Sequence, residues 1–188
     1  MPSFTKDAIK NSFIRLLNEK PLKQITVRDI VEDCGINRNS FYYHFADIPT
    51  LLEELITDEA KRIITAHPDI GSVEECLKTV LEFAMQNKRA IMHIYNSVNR
   101  SMYEQYLWQV SEEVVRAYAR QLLKDHPVAE SDRNLIVNFY KCVCFGLVTD
   151  WIRTGMKPEI EADLHRICEL KKGMAEEMIA RCAETPEA

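Results

Sequence analysis

The chain has 188 residues, 46% hydrophobic and 28% charged, enough apolar surface for one sizeable core or two small ones, which excludes a mainly disordered protein. Five glycines and seven prolines are too few turn formers for a many-stranded sandwich or barrel, so the composition predicts an all-α fold. The net charge of −5 is unevenly spread: residues 1–45 hold seven Lys/Arg against five Asp/Glu, and residues 46–188 hold 17 against 24, a basic head on an acidic body that suits a nucleic-acid end and a different end for another partner.

In chain order, the spacing of Ala8, Ile9, Phe13, Leu16 and Leu17 predicts a helix over 5–19, ended by Lys20-Pro21. Thr26 then stands as an N-cap, with Asp29 placed to bond back in a capping box, opening a short helix over 27–33. In Cys34-Gly35-Ile36 the glycine can take the left-handed conformation that turns one helix sharply into another. Asn37 caps a third helix over 38–44. Two short helices across a three-residue turn with a central glycine make a helix-turn-helix.

The third helix carries donors and no acids. Arg38, Asn39 and Ser40 are residue types that bond base edges, whereas the hydroxyls of Tyr42 and Tyr43 and the imidazole of His44 reach phosphate oxygens. Phe41 and Phe45, four apart, stack on one face and belong to the core.

The run Ile25-Thr26-Val27-Arg28-Asp29-Ile30, followed by Gly35-Ile36-Asn37-Arg38-Asn39-Ser40-Phe41-Tyr42-Tyr43-His44-Phe45 and Leu51-Leu52, resembles the N-terminal DNA-binding domain of the TetR/AcrR family of transcriptional regulators. The resemblance covers about residues 5–60, and its most specific piece is Phe-Tyr-x-His-Phe after the turn glycine. It implies an all-α dimer with a helix-turn-helix domain over 1–47 and an effector-binding and dimerisation domain over 48–188. By position, it implies that Thr26 and Arg28 meet phosphates, that Arg38, Asn39 and Ser40 face bases, and that Tyr42 and His44 hold the DNA backbone. Asn37 and Tyr43 complete the candidate set. One departure weakens the match: family members commonly place a Lys at the start of helix four, where this chain has Ile48 after Asp47. The missing cation removes roughly one phosphate's worth of salt-dependent affinity.

A connecting helix follows over 48–66, with Leu51, Leu52, Leu55 and Ile56 on its apolar face, stopped by His67-Pro68 and Gly71. Amphipathic helices are predicted over 73–87, 88–97 and 101–124. The next, opened by Ser131 or Asp132 and closed by Thr154-Gly155, is apolar on nearly all sides, and a last helix over 159–182 brings the total to about nine. A helix apolar all round needs neighbours on two faces. A second protomer is the simplest second neighbour, placing Phe145, Gly146, Trp151, Leu164, Ile167, Met174 and Met178 at a homodimer interface. The large and polar side chains His93, Asn96, Tyr103, Trp108, Asn138, Tyr140 and Cys144 are candidates for an effector pocket.

Catalytic and cofactor readings find little support. The six cysteines contain no C-x-x-C pair, and Cys142 and Cys144 would point roughly 200° apart on a helix, so no metal or cofactor is expected. There is no Gly-rich phosphate loop, G-x-S-x-G or H-E-x-x-H, and the five histidines are dispersed, so an enzyme is not expected. No apolar run approaches the roughly 20 residues of a membrane span and the N-terminus has no signal-like segment, giving a cytoplasmic expectation without membrane partners. The sequence thus predicts a transcriptional regulator that binds a palindromic double-stranded operator as a homodimer, a repressor released by a small-molecule effector. The alternative is a coactivator or adaptor of the same fold acting through a protein partner.

Overall fold

A computed structural model describes residues 4–66, 73–97 and 100–184. The described residues form α1 (Phe4–Glu19), a 3-10 turn (Leu22–Gln24), α2 (Val27–Asp33), α3 (Arg38–His44), α4 (Ile48–Ala66) and α5 (Val73–Gln86). They continue through α6 (Lys88–Tyr95), α7 (Arg100–Leu122), α8 (Glu130–Arg153), α9 (Ile160–Leu170) and α10 (Met174–Glu184), with no strand among them. The all-α expectation holds.

Two compact units divide the chain, one of residues Met1–Glu59 and Phe83–Tyr106, the other of Ala60–Glu82 and Leu107–Ala188. In the first, α1 packs on α2, α3 and α6. Its core holds Ile9, Phe13, Leu17, Ile30, Phe41, Phe45, Leu51 and Leu52, all essentially without solvent exposure. Each such side chain contributes roughly 1.5–3 kcal/mol of burial, so the two short helices are held by packing rather than by their own propensity. The apolar face formed by Phe41 and Phe45, with ring centroids 5.9 Å apart, fixes which side of α3 faces solvent.

A polar pin adds direction to that packing. Ser12, buried on α1, donates its hydroxyl to the Ile30 carbonyl at 3.3 Å and to the Asp33 carboxylate, which also pairs with Arg15. Here α1 grips the last turn of α2, the end that leads into the turn. Gly35, at φ 68°, takes the left-handed conformation anticipated for it, and Ile36 N–H reaches back to the Val31 carbonyl at 3.0 Å.

The second unit has a core of Ala119, Leu123, Val128, Val137 and Ile179, drawn from α7, α8, α10 and the α7–α8 connection. Trp108 of α7 meets Phe145 of α8 edge-on at 5.1 Å, and Lys141 lies 4.5 Å over the Trp108 ring while pairing with Glu112 at 3.0 Å.

Three details depart from the sequence-based expectations. The predicted last helix is two, because Gly173 at φ 86° breaks it between α9 and α10; the apolar stripe continues on both sides of the glycine and conceals the stop. α8 opens at Glu130 with Ala129 in the cap position and no side-chain cap, rather than at Ser131 or Asp132. α8 is also long and apolar enough, by length and composition, to cross a membrane, against the expectation that no segment would be. The stop expected at His67-Pro68 and Gly71 lies outside the described residues.

Candidate nucleic-acid interface

The sequence places two caps at the start of the two motif helices, and both are made. Asp29 Oδ2 accepts from the Thr26 N–H and from the Thr26 hydroxyl, each at 2.7 Å, and Thr26 Oγ1 accepts the Asp29 N–H at 3.2 Å. These bonds, with Lys20 at 3.1 Å, hold the Asp29 carboxyl down at about 2. On α3, Asn37 Oδ1 accepts from the Ser40 N–H at 2.8 Å and from its hydroxyl at 3.1 Å. Asn37 and Ser40 therefore use these atoms to shape α3, which leaves the amide N–H groups of the exposed Asn37 as its remaining donors.

The solvent face of α3 is built as expected. Arg38 and Asn39 are exposed, Tyr42 and Tyr43 remain 55% and 84% exposed, and Phe41 on the opposite face is fully buried. Tyr43 is braced edge-on by His44 at 5.0 Å and Tyr42 by Phe41 at 5.5 Å, which orients two aromatic hydroxyls without burying them.

Electrostatics single out two cations. Of the seven basic residues in 1–45, Lys6 pairs with Glu54, Lys10 with Glu54 and Asp58, Arg15 with Asp33, Lys20 with Asp29, and Arg28 with Glu32. Among the described residues, no carboxylate pairs with Lys23 or Arg38. Arg28, expected to meet a phosphate, is exposed but has to exchange Glu32 for it. Lys23 lies outside the set that the sequence pattern picks out. Its place three residues before the Thr26 cap is the one signal that could have found it.

At the start of α4, Asp47 accepts from the Thr50 N–H at 2.8 Å and hydroxyl at 2.7 Å, which lowers its carboxyl pKa. The family's lysine place is thus an apolar Ile48 beside a capping carboxylate, so this helix end presents negative charge rather than a cation.

The other sequence-derived sets fall as follows. Of the effector candidates, His93, Asn96 and Tyr103 belong to the first unit and Trp108, Asn138, Tyr140 and Cys144 to the second. His93 is bonded to the Leu17 carbonyl, Tyr103 is buried edge-on to Tyr95 at 6.4 Å, and Asn96 and Asn138 are exposed. Lys171 lies 4.4 Å over Tyr140, and burial pushes the Cys144 thiol up. A cavity in the second unit, about 470 Å³, is lined by Lys78, Leu81, Pro158, Glu161, Ala162, Leu164, His165 and Cys168; of the sequence-derived residues it includes Leu164 only, from the interface set. Among the interface candidates, Gly146, Ile167 and Met174 are exposed, Leu164, Phe145 and Met178 half-buried, and Trp151 is turned inward, donating to the Lys157 carbonyl at 2.8 Å. The exposed apolar side chains of α8 are Leu135, Phe139 and Leu147. Among the described residues, no group of three or more His, Cys, Asp or Glu is placed to hold a metal ion.

A helix-turn-helix with a capped, donor-bearing second helix defines a DNA-binding class of protein. The family comparisons agree: residues 14–55 match the family described as bacterial regulatory proteins, tetR family, and residues 71–173 match a transcriptional regulator C-terminal region of the same family. The chain belongs to the TetR family of transcriptional regulators. Several solved structures share its fold, and two serve for comparison. One is the dihydroxyacetone kinase operon activator DhaS, 18% identical over 98% of this chain and 99% of that one, with a TM-score of 0.70. The other is a TetR transcriptional regulator from Streptococcus agalactiae 2603V, 21% identical over 88% and 92%, with a TM-score of 0.52. No curated protein matches the sequence.

Proposed function

We propose that this TetR-family chain is a cytoplasmic, homodimeric, non-enzymatic repressor that reads a palindromic operator through α3 and is released by a small-molecule effector. The observation that carries the reading is Arg38: an exposed arginine without an ion pair among the described residues, on an acid-free helix whose Asn39, Tyr42 and Tyr43 are exposed beside it. An arginine so placed is free to bond guanine edges bidentately. Tyr42, Tyr43, His44, Thr26 and Arg28 fix register on the phosphates, and Lys23 joins them. In a two-fold dimer the two copies of α3 match half-sites about one helical turn, roughly 34–36 Å, apart or a multiple of it. The effector is moderately hydrophobic and planar, bound among the aromatic and sulfur side chains of the C-terminal helices.

Selection of duplexes from a randomised pool by the purified protein, followed by titration across salt, tests the reading. An enriched inverted repeat bound with a steep salt dependence is the expected result. The absence of any enriched sequence, together with no retention on heparin, overturns it. A second reading, an adaptor acting through a protein partner, is favoured by one observation: five of the seven cations in the head are already neutralised by carboxylates of the same chain.

A further inference from the structure

The last turn of α1 lacks a donor that its own continuation cannot supply. In a continuing helix the carbonyl of Leu17 would accept the N–H of residue 21, but residue 21 is proline and has none. The neighbouring carbonyls are served: Leu16 by the Lys20 N–H at 2.9 Å, and Ile14 by the side-chain amide of Asn18 at 2.9 Å. Leu17 is 1% exposed, so its carbonyl has little access to water as a substitute.

The missing donor comes from α6. His93 Nδ1 lies 2.7 Å from the Leu17 carbonyl oxygen, across 76 residues of sequence. A carbonyl only accepts, so Nδ1 carries the proton and the neutral ring is held as the Nδ1–H tautomer. α6 falls within the residues 71–173 of the family's C-terminal region, yet packs in the same unit as the helix-turn-helix. From α1 the connection continues through Ser12 and Arg15 to Asp33 of α2, and by direct packing to α3.

We propose that His93 is a positioning residue, an external cap on α1 that fastens α6 to the DNA-reading head, so that a displacement of α6 uncaps α1 and loosens the support of α3. The inference rests on the DNA-binding reading. It goes beyond it in assigning His93 to coupling rather than to an effector pocket.

Two measurements on the full chain test it. Long-range proton–nitrogen NMR at pH 8 reports the His93 tautomer: a protonated Nδ1 is expected, and a ring protonated at Nε2 or averaging between the two overturns the proposal. DNA affinity is then compared on the duplex enriched by the wild-type protein. His93→Leu keeps volume without a donor and is expected to bind about five-fold or more weakly, with the salt slope unchanged because every phosphate partner is retained. His93→Asn, whose amide N–H stands near the place of ring Nδ1, is expected to stay within about two-fold of wild type.

Equal binding by the Leu and Asn variants overturns the proposal, as does weaker binding with a shallower salt slope, which would mean that His93 itself acts on a phosphate. Should His93→Leu fail to fold, a His93→Asn protein with near wild-type affinity supports the proposal, and a weak one overturns it. Should the wild type enrich no duplex, the DNA-binding reading fails on its own; amide exchange in α1 and α2, faster in His93→Leu than in His93→Asn if the cap is real, still decides the structural claim.

Discussion

Thr26 and Asp29 cap each other at the start of α2, the hydroxyl and amide of Thr26 donating to the Asp29 carboxylate while the hydroxyl oxygen accepts the Asp29 N–H. The pair fixes the entry to the motif three residues after Lys23, and its strength depends on the carboxylate being ionised. The folded-state value of about 2 lies below the ordinary 3.8, so the stabilisation is fully present above pH 3.8 and is lost as pH falls through about 2. Asp29→Asn keeps an acceptor that does not titrate. Its melting temperature should lie below that of wild type at neutral pH, and the gap should close between about pH 4 and pH 2. Thr26→Ala removes the cap at every pH and should cost about 1 kcal/mol, a fall of roughly 2–4 °C by calorimetry.

Base reading and backbone holding should separate by mutation. Arg38→Ala is expected to cost roughly 1–3 kcal/mol and to relax preference at one base position of the selected duplex. Tyr42→Phe should weaken binding to all sequences to a similar degree, because a hydroxyl on a phosphate carries no sequence information. Binding titrations against single-position duplex variants distinguish the two; an Arg38→Ala protein with unchanged affinity and selectivity would remove α3 from the role of reader.

Lys23 should contribute through salt dependence alone. Each phosphate neutralised adds roughly 0.9 to the slope of log affinity against log salt, so Lys23→Ala should flatten that slope by about 0.9 for each protomer bound while leaving base preference intact. The same substitution at Lys6 or Lys10, both already paired with Glu54, should leave the slope nearly unchanged. Anisotropy titrations over a range of salt concentrations give both numbers.

Gly146 tests association separately from folding. A Cβ added there meets nothing within 4 Å in its own chain, so Gly146→Glu should fold normally. In a dimer that closes over the exposed Leu135, Phe139 and Leu147 of α8, the new carboxylate is buried without a partner, a cost of several kcal/mol. Light scattering should find the wild type as a dimer at micromolar concentration and the variant as a folded monomer. A monomeric wild type would remove the interface.

The helices of the helix-turn-helix, their caps and the outward residues of the reading helix were legible in the chain, because all of these are local properties. Thr26 and Asp29, or Asn37 and Ser40, meet within one helical turn, and the spacing of Phe41 and Phe45 decides which side of α3 remains for Tyr42 and Tyr43. Local reasoning failed where a pattern runs through a stop, as at Gly173, whose positive φ divides an apolar stripe that reads as continuous. It also could not weigh the cations. Seven basic residues look alike in a count, but only the packing of α1 against α2, and the approach of Lys6 and Lys10 to Glu54, decides which of them are neutralised. The fate of His93 is of the same kind. Pro21 announces a carbonyl without a donor, and the donor lies 76 residues away, so folding alone could bring the two together. Trp151 likewise reads as interface by hydrophobicity, yet the turn after α8 offers the Lys157 carbonyl to its ring N–H and folds it inward. Hydrogen-bond partners and charge partners at long separation are set by where helices pack, and no period in the chain records that.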